Sequence, residues 1–360
     1  MDTKQYRIGR LNVTSRIAIV LVVSCLQLAP PSRVRGEVSQ VFQEERSQAK
    51  PLDIPAQWKG LVGEYTLGDD TLCVLERERN LFLLTKLNHR YRLNLIGNDA
   101  FLLESDWPYD EKVCIFKRNK DGAGISIEAG GRTHQRLFFG DEHGMSFRIK
   151  SLKPVDMLRN DALRATPPKE EGKFLPPDLV ELTRLDTTIH LDIRYSSTNN
   201  FVGEKFYSQA RAFLQRPAAD ALVRVHRSLR LMGYGLLIHD AYRPWYVTKM
   251  FWDATPVAQK EFVADPSKGS RHNRGCAVDL SLYDLNTGQA VEMVSGYDEF
   301  SHRAYPEYPG GTSLQRWYRR LLRQAMEAEG FRVFESEWWH FDYKEWRQYP
   351  IGTTTFEMIH

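Results

Sequence analysis

The chain has 360 residues, which is long enough for two or three domains of about 100–200 residues each. Hydrophobic residues make up 42% and charged residues 26%, so folded domains are expected and wholesale disorder is excluded. Residues 1–36 hold six basic residues and one acidic residue, whereas the remaining chain holds 43 basic and 45 acidic residues. This nearly neutral body argues against a dedicated nucleic-acid-binding protein. The four cysteines include no C-x-x-C pair, which excludes a thiolate zinc finger.

The N-terminus is typical of an export signal. Four basic residues precede an apolar run, 17–29, which is shorter than the about 20 residues that span a bilayer. We predict a signal peptide over residues 1–36 with cleavage before Glu37, which leaves no membrane span in the mature chain. Two alternatives remain open, a bacterial lipoprotein box that attaches a lipid to Cys25 and an uncleaved anchor. All three predict an exported body in the periplasm or cell envelope.

Two predicted linkers divide the exported body. Residues 37–56 and 156–177 are polar and proline-containing, and they flank a β-rich segment, 57–155. This segment alternates apolar runs with turns, which predicts an antiparallel sheet or a small barrel. The predicted strands are 65–67, 72–75, 81–84, 91–95, 113–116, 125–127 and 137–139. The segment resembles the β-rich module appended to some serine β-lactamase-like hydrolases. That resemblance implies a cell-wall or partner-binding module, and a structural appendage is the alternative.

Two cysteines fall in these predicted strands. Cys73 and Cys114 would be able to form a disulfide in an oxidising compartment outside the cytoplasm. Two buried free thiols are the alternative, because the sequence does not give the separation of their Cα atoms.

The last segment, 178–360, mixes helices and strands. Apolar residues recur at helical spacing over 217–232, and a second helix is predicted over 313–329 after an N-cap at Thr312 or Ser313. Strands are predicted at 235–239 and 331–334. Strands that follow helices without a strict βαβ rhythm favour an α+β fold.

Histidine and carboxylate residues in this segment have the composition of a catalytic metal site. A catalytic zinc ion needs about three protein ligands and one open position for water. His272, Asp279 and His340 would supply two imidazoles and one carboxylate. Glu337 precedes His340 by three residues, which suits a general base that need not bind the metal. A single histidine is more often a surface residue than a ligand, so the prediction depends on the combination.

The combination resembles the zinc D-Ala-D-Ala dipeptidases of the VanX type. Their pattern Ser-x-His-x-x-Gly-x-Ala-x-Asp is found at 270–279, and their Glu-x-Trp-His is found at 337–340. The resemblance continues through 192–203, 233–244 and 298–301, and it covers about 178–360. It implies a zinc peptidase domain with a central antiparallel sheet flanked by helices.

The resemblance also implies a role for each site residue. One zinc ion is held by His272, Asp279 and His340, while Glu337 acts as base and later as proton donor. Arg243 stabilises the oxyanion of the tetrahedral intermediate. The resemblance also implies that Ser270 lies near the carboxyl end of the substrate and that Asp298 receives its ammonium group.

We therefore expect an exported zinc dipeptidase that cleaves D-alanyl-D-alanine in cell-wall metabolism. The implied partner is a small dipeptide, with cell-wall peptides as further candidates and no nucleic acid. One alternative is a zinc D,D-carboxypeptidase or endopeptidase that acts on peptidoglycan peptides. Another is a wall-binding protein without catalytic activity. The segment before Asp298 reads Met-Val-Ser-Gly-Tyr over 293–297, which departs from the usual family pattern and bears on substrate preference.

Overall fold

A computed structural model describes residues 49–86, 89–140 and 147–359. Lys50–His360 form one compact unit. The predicted signal peptide, the alternative lipid attachment at Cys25 and most of the first predicted linker lie outside the described residues. Among the residues that are described, no helix combines the length and apolar character needed to cross a membrane.

The first body is a closed barrel of eight antiparallel strands in sequential order. A short helix, α1 (Ala56–Lys59), precedes it. The pairing of the last strand with the first closes the barrel and leaves no open sheet edge. Of the two architectures predicted for this segment, the structure therefore adopts the barrel. The strands are β1 (Gly63–Leu67), β2 (Asp70–Arg77), β3 (Asn80–Leu84), β4 (Arg90–Gly97), β5 (Ala100–Leu103), β6 (Val113–Arg118), β7 (Gly124–Ala129) and β8 (Arg132–Leu137).

Alternation of side chains along the strands produces the barrel core. Phe101 and Leu103 are buried, whereas Leu102 between them is exposed, as the two-residue period of a strand requires. Gly130 and Gly131 join β7 to β8 with φ values of 58° and 70°. Two consecutive positive φ angles suit a tight hairpin, and glycine adopts them without steric cost.

Two strands differ from the predictions. Strand β5 was not predicted, because it is only four residues long and a Gly-Asn-Asp turn directly precedes it. The last strand occupies Arg132–Leu137 rather than 137–139. Its sequence is largely polar, and only His134 is buried along it. A polar strand gives a weak hydrophobic pattern, so its position is hard to predict.

The predicted linker at 156–177 begins with a helix. Helix α2 (Val155–Arg164) buries Leu158 and Ala162, which lie one helical turn apart among charged residues. The helix packs on the second body, so this part of the linker prediction was wrong.

The second body is built on a five-stranded sheet in the order β10 (His190–Leu191), β12 (Tyr234–Asp240), β13 (Ala277–Asp284), β15 (Glu337–Tyr343) and β14 (Phe331–Phe334). Strand β10 is parallel to β12, and the other three pairings are antiparallel. The sheet is therefore mixed, which corrects the expectation of a purely antiparallel sheet. Its elements, with those that surround it, are β9 (Leu179–Glu181), α3 (Leu182–Leu185), β10 (His190–Leu191), β11 (Phe213–Gln215), α4 (Arg216–Arg230), β12 (Tyr234–Asp240), α5 (Trp245–Ala254), β13 (Ala277–Asp284), α6 (Ser313–Ala328), β14 (Phe331–Phe334) and β15 (Glu337–Tyr343).

The two long helices cover this sheet. Helix α4 packs against β12, helix α6 packs against β14, and the two helices contact each other. Helix α6 begins with a capping box, in which the Thr312 side chain accepts a hydrogen bond from the Gln315 backbone and Gln315 reciprocates. Thr312 is therefore the N-cap, which settles the choice between the two predicted caps.

Cys73 and Cys114 are both free and buried. Cys114 belongs to the barrel core, whereas Cys73 lies 3.5 Å from the Tyr308 hydroxyl of the second body. The two side chains therefore lie in different environments, and no disulfide joins them.

Candidate active site

One cavity of about 380 Å³ is lined by all seven residues that the sequence analysis selected. They come from four separate segments, and the sheet brings them together. Across β13 and β15, Asp279 lies directly opposite His340, and Asp240 of β12 lies opposite Asp279. The seven residues are Arg243, Ser270, His272, Asp279, Asp298, Glu337 and His340.

Three donor atoms converge at one point of this cavity. His272 Nε2 lies 3.1 Å from His340 Nδ1 and 3.3 Å from Asp279 Oδ1. His340 Nδ1 lies 3.0 Å from the same carboxylate oxygen. One ligand atom from each of the three residues lies within 4.8 Å of the other two, which is the arrangement of a potential metal site.

The ring orientations leave one nitrogen of each histidine available. His272 Nδ1 lies 2.6 Å from the Ala241 carbonyl oxygen, and His340 Nε2 lies 3.0 Å from Asp342 Oδ1. A carbonyl or carboxylate accepts a hydrogen bond, so these outer nitrogens carry the protons. With a metal ion bound, the inner nitrogens would present their lone pairs to it, as metal-ligating histidines do.

The remaining ligand atom also fits a bound cation. Asp279 Oδ1 is buried without a hydrogen-bond partner. A buried carboxylate oxygen is costly when it has no partner. Burial opposes ionisation of Asp279, yet the neighbouring His272 and His340 hold its pKa well below the usual range. Two imidazoles and an ionised carboxylate form a donor set that suits a divalent transition metal.

The second carboxylate oxygen of Asp279 is held by hydrogen bonding. Tyr297 donates its hydroxyl to Asp279 Oδ2 at 3.0 Å. Tyr297 also stacks on His239, with ring centroids 4.8 Å apart. The tyrosine therefore fixes the orientation of the carboxylate and turns the unpartnered oxygen toward the two histidines.

Glu337 lies beside the donor cluster at the start of β15. Its Oε2 atom is 3.7 Å from His340 Nδ1, and its side chain is 22% exposed. Burial raises the pKa of Glu337 to about 7, while the charge of His340 acts in the opposite direction. A carboxyl group with a pKa near 7 can both accept and return a proton.

Arg243 is held in place by an ion pair and by aromatic rings. Its Nη2 atom lies 2.7 Å from Asp240 Oδ2 and 3.8 Å from Asp279 Oδ2. The guanidinium stacks on Phe251 and Tyr195, at 4.8 and 5.4 Å from their centroids. Burial opposes the charge of Arg243, but Asp240 raises its pKa well above the usual value. The site therefore contains a fixed positive charge.

Asp298 presents a buried carboxylate to the cavity. The Tyr195 hydroxyl lies 2.9 and 3.1 Å from its two oxygens, and the residue has a φ of 59°. Burial, followed by the nearby Asp279 carboxylate, raises the pKa of Asp298 well above its usual value. A cationic group of a ligand would relieve both the desolvation and the repulsion.

Ser270 precedes His272 by two residues and also lines the cavity. Its hydroxyl accepts a hydrogen bond from the His272 backbone at 3.2 Å, and its backbone donates to Asn273 Oδ1 at 2.7 Å. The serine is therefore held as part of the turn that precedes β13.

Several residues of the site were not selected from the sequence. Asp240 anchors Arg243, Asp342 orients His340, and Tyr195 with Tyr297 holds the two carboxylates of the cavity. Two of them had a usable signal, because Asp240 directly follows the predicted strand 235–239, three residues before Arg243, and Asp342 follows His340 by two residues. The two tyrosines gave no comparable signal.

Residues 177–357, half of the chain, match the family model Peptidase_M15, D-ala-D-ala dipeptidase. The chain belongs to this family. A D-alanyl-D-alanine dipeptidase of Escherichia coli K12 is 35% identical over 50% of this chain and 91% of its own length. Another from Enterococcus faecium is 32% identical over 45% of this chain and 91% of its own length. A third from Streptomyces coelicolor is 30% identical over 47% of this chain and 92% of its own length.

Membership makes the protein a metallopeptidase and confirms the resemblance inferred from the two motifs. The matched region begins at residue 177, so it contains the cavity and leaves out the barrel. The solved structure of the LdcB LD-carboxypeptidase covers 58% of this chain and 89% of its own at 20% identity, with a TM-score of 0.29 that is too low to support an argument.

Proposed function

We propose that this protein is a zinc-dependent dipeptidase that hydrolyses D-alanyl-D-alanine to two D-alanines. The observation that carries the proposal is the convergence of two imidazole nitrogens and one unpartnered carboxylate oxygen beside Glu337. The D-alanyl-D-alanine dipeptidases that are similar over nine-tenths of their length support the choice of substrate.

His272, Asp279 and His340 would hold one zinc ion. When bound, zinc supplies Lewis acidity, which polarises the scissile carbonyl and lowers the pKa of a water molecule toward about 7. Two histidines and one carboxylate, with a further position open, form one of the ligand sets of catalytic zinc sites.

Glu337 is the proposed proton carrier. Its carboxylate oxygen accepts a proton from the water molecule that attacks the scissile carbonyl, and the carboxyl group then donates this proton to the leaving amine nitrogen. Burial acts to raise the pKa of this carboxyl group, which favours its protonated form before the proton is returned. The tryptophans at 338 and 339 follow Glu337 on strand β15 and are buried.

Arg243 is the proposed stabiliser of the developing oxyanion. It is permanently charged, it lines the cavity, and Asp240 fixes its orientation. A donor that is fixed before the reaction stabilises the transition state without reorganisation.

Asp298 and Ser270 are the proposed contacts for the two ends of the dipeptide. The ammonium group of a free dipeptide would pair with the Asp298 carboxylate, which accepts hydrogen bonds from the Tyr195 hydroxyl. Ser270 would lie near the carboxyl end of the substrate. This pairing would distinguish a dipeptidase from a carboxypeptidase, because an acylated or longer peptide has a neutral amide at that position.

We further propose that the protein acts outside the cytoplasm, in the periplasm or cell envelope, where D-alanyl peptides of the cell wall would be its substrates. The basic N-terminus and the apolar run after it support export. Cell-wall peptides remain candidate partners in addition to the free dipeptide.

Comparison of free and N-acetylated D-Ala-D-Ala tests the proposed substrate. Loss of one partner of a buried charge pair costs roughly 2–5 kcal/mol. At about 1.4 kcal/mol per factor of ten, kcat/KM should favour the free dipeptide by roughly 30-fold to several thousand-fold. The variant Asp298→Asn should reduce this preference, chiefly by slowing hydrolysis of the free dipeptide.

Equal kcat/KM values for the two substrates would overturn the dipeptidase assignment and favour a D,D-carboxypeptidase. Hydrolysis of neither substrate by protein that contains one zinc ion per chain would favour the wall-binding alternative.

A further inference from the structure

The substrate loop, defined as residues 291–312, connects the sheet of the second body to helix α6. It carries Asp298 into the cavity and places the Tyr297 hydroxyl against Asp279. The same loop runs along the barrel, and residues 50–360 form one compact unit. Barrel residues therefore contact the segment that holds the proposed ammonium-binding carboxylate.

The first contact is made by Tyr308. Its hydroxyl donates a hydrogen bond to Glu64 Oε1 of strand β1 at 2.7 Å and lies 3.5 Å from Cys73 Sγ of strand β2. The Tyr308 backbone is held from the other side, because Arg319 of helix α6 donates to its carbonyl oxygen at 2.9 Å. Tyr308 thus connects the barrel wall to the peptidase helix.

The second contact is made by Glu76, a barrel residue that is only 1% exposed. Its backbone N–H donates to the Gly311 carbonyl oxygen at 3.1 Å, and its Oε2 atom accepts from the Ser313 backbone at 2.7 Å. Arg316 also donates to the Glu76 carbonyl oxygen at 2.6 Å. A carboxylate at the first turn of helix α6 is favourable for the helix dipole, so Glu76 fixes the end of the substrate loop.

Two further contacts lie nearer the start and middle of the loop. Lys59 Nζ is 2.5 Å from Glu292 Oε2 at an exposed position. The Arg303 guanidinium lies 4.3 Å from the ring centroid of Phe139, which directly follows the barrel. Contacts with the barrel body are therefore distributed along the loop and do not arise at a single point.

The centre of the loop needs such support. Asp298 is a non-glycine residue in the left-handed region, with a φ of 59°, and its carboxylate is buried. Such a conformation costs of order 1–3 kcal/mol and persists only where the surrounding structure determines it. The peptidase supplies hydrogen bonds to Ser295 and Asp298 from Trp338 and Tyr195, and the barrel supplies the contacts toward the ends.

We propose that the barrel positions the substrate loop for catalysis, with Tyr308 and Glu76 as positioning residues that act through Asp298. This inference rests on the proposed function. The barrel would then contribute to recognition of the substrate in the cavity of the second body. This role does not depend on whether the barrel also binds another molecule.

The test compares two interface variants with two matched controls elsewhere on the barrel. Tyr308→Phe removes one hydroxyl, and Glu76→Gln removes one charge while keeping the backbone contacts. Tyr109→Phe and Glu128→Gln make the same chemical changes at barrel residues outside the contacts with the loop described above; Tyr109 accepts from Arg132, and Glu128 is exposed. Amide hydrogen exchange of peptides from 291–312, zinc content and steady-state kinetics are measured for all four.

Loss of one hydrogen bond predicts about a 3- to 10-fold rise in KM for free D-Ala-D-Ala in Tyr308→Phe. Its kcat should stay within about 2-fold and its zinc content should not change, because all three metal ligands lie outside the substrate loop, on β13, on β15 and in the turn before β13. Exchange within 291–312 should accelerate in both interface variants and in neither control. Thermal unfolding of each variant verifies that it is folded, and Tyr308→Phe decides the outcome if Glu76→Gln does not fold.

Unchanged exchange of the substrate loop in Tyr308→Phe would overturn the inference, as would faster exchange with an unchanged KM. A wild-type protein without dipeptidase activity would instead overturn the proposed function. The exchange comparison would then decide alone whether the barrel holds the loop.

Discussion

His272 and His340 each direct one ring nitrogen to the same point because the other nitrogen is already hydrogen-bonded. The Ala241 carbonyl and the Asp342 carboxylate hold the outer nitrogens, and the inner nitrogens are only 3.1 Å apart. A cation between or beside these two nitrogens would accept a lone pair from each. The hydrogen bonds of the outer nitrogens therefore orient both rings for a bound metal ion.

This geometry separates the roles of a ligand and a base. His340→Ala removes one of three ligands, so metal content should fall below about one-tenth per chain and activity should be lost with it. Glu337→Gln keeps the shape of the side chain but cannot accept the proton, so it should retain one metal ion per chain while kcat falls by about 10²–10⁴. Elemental analysis of the two purified variants distinguishes them. Equal metal loss in both would make Glu337 a ligand.

Arg243 should act mainly on the transition state. Lysine at this position keeps the charge but loses the planar fork that Asp240 orients, so Arg243→Lys should lower kcat by about 10²–10³. The KM value should change much less, since the ground-state carbonyl carries little charge. Steady-state kinetics on D-Ala-D-Ala measure both constants. A normal kcat would mean that Arg243 only stabilises the turn before Pro244.

The sequence predicted the ligands of the site better than the residues that support them. The three ligands and Glu337 belong to two short motifs, so their spacing was visible. Tyr195 lies 103 residues before its partner Asp298, and an isolated tyrosine among 16 gives no local signal. Only folding brings these two residues together, and the same is true of Tyr297 and Asp279.

At the scale of elements, strand pairing creates the site. Asp279 and His340 face each other because β13 and β15 pair with the register Ala277↔Asp342, and a slip of one residue would turn one of the ligands to the other face. Strong periodic segments such as helix α6 and strands β12 and β14 could be predicted from the sequence. The polar strand β8, the four-residue strand β5 and helix α2 could not, because their apolar residues are too few or too close to a turn.

The close packing of β12 against β13 predicts a sharp difference between two glycine substitutions. A Cβ atom on Gly235 would lie 2.2 Å from the Tyr283 ring, which is stacked on His190 at 3.8 Å and donates to the Thr188 carbonyl. Because that ring cannot move freely, Gly235→Ala should reduce the free energy of unfolding by about 1–3 kcal/mol.

Gly97→Ala is the matched control, since its added Cβ atom would make an ordinary contact at 3.8 Å with Ala100. Its effect should stay within about 1 kcal/mol, and denaturant unfolding with a common m-value measures both variants. Equal destabilisation by the two substitutions would mean that Tyr283 yields to the added methyl group.

At the scale of the whole molecule, the two bodies were predicted from the change in hydrophobic pattern, whereas their association was not. The contacts of Glu76 and Tyr308 join residues more than 230 positions apart, and one of the two is a buried carboxylate that no periodicity reveals. The closed barrel also depends on the pairing of its first and last strands, which is a property of the completed fold. The predicted export signal concerns the segment before the described residues and stays a prediction.

The central claim is that the cavity hydrolyses D-alanyl-D-alanine with a metal held by His272, Asp279 and His340. The most direct measurement is release of D-alanine from D-Ala-D-Ala by the zinc-loaded protein, with Glu337→Gln as a control that keeps the metal. We predict two D-alanines per dipeptide from the wild type and a loss of about 10²–10⁴ in rate for the variant. No D-alanine from wild-type protein with one zinc ion per chain, or equal rates for both proteins, would contradict the claim.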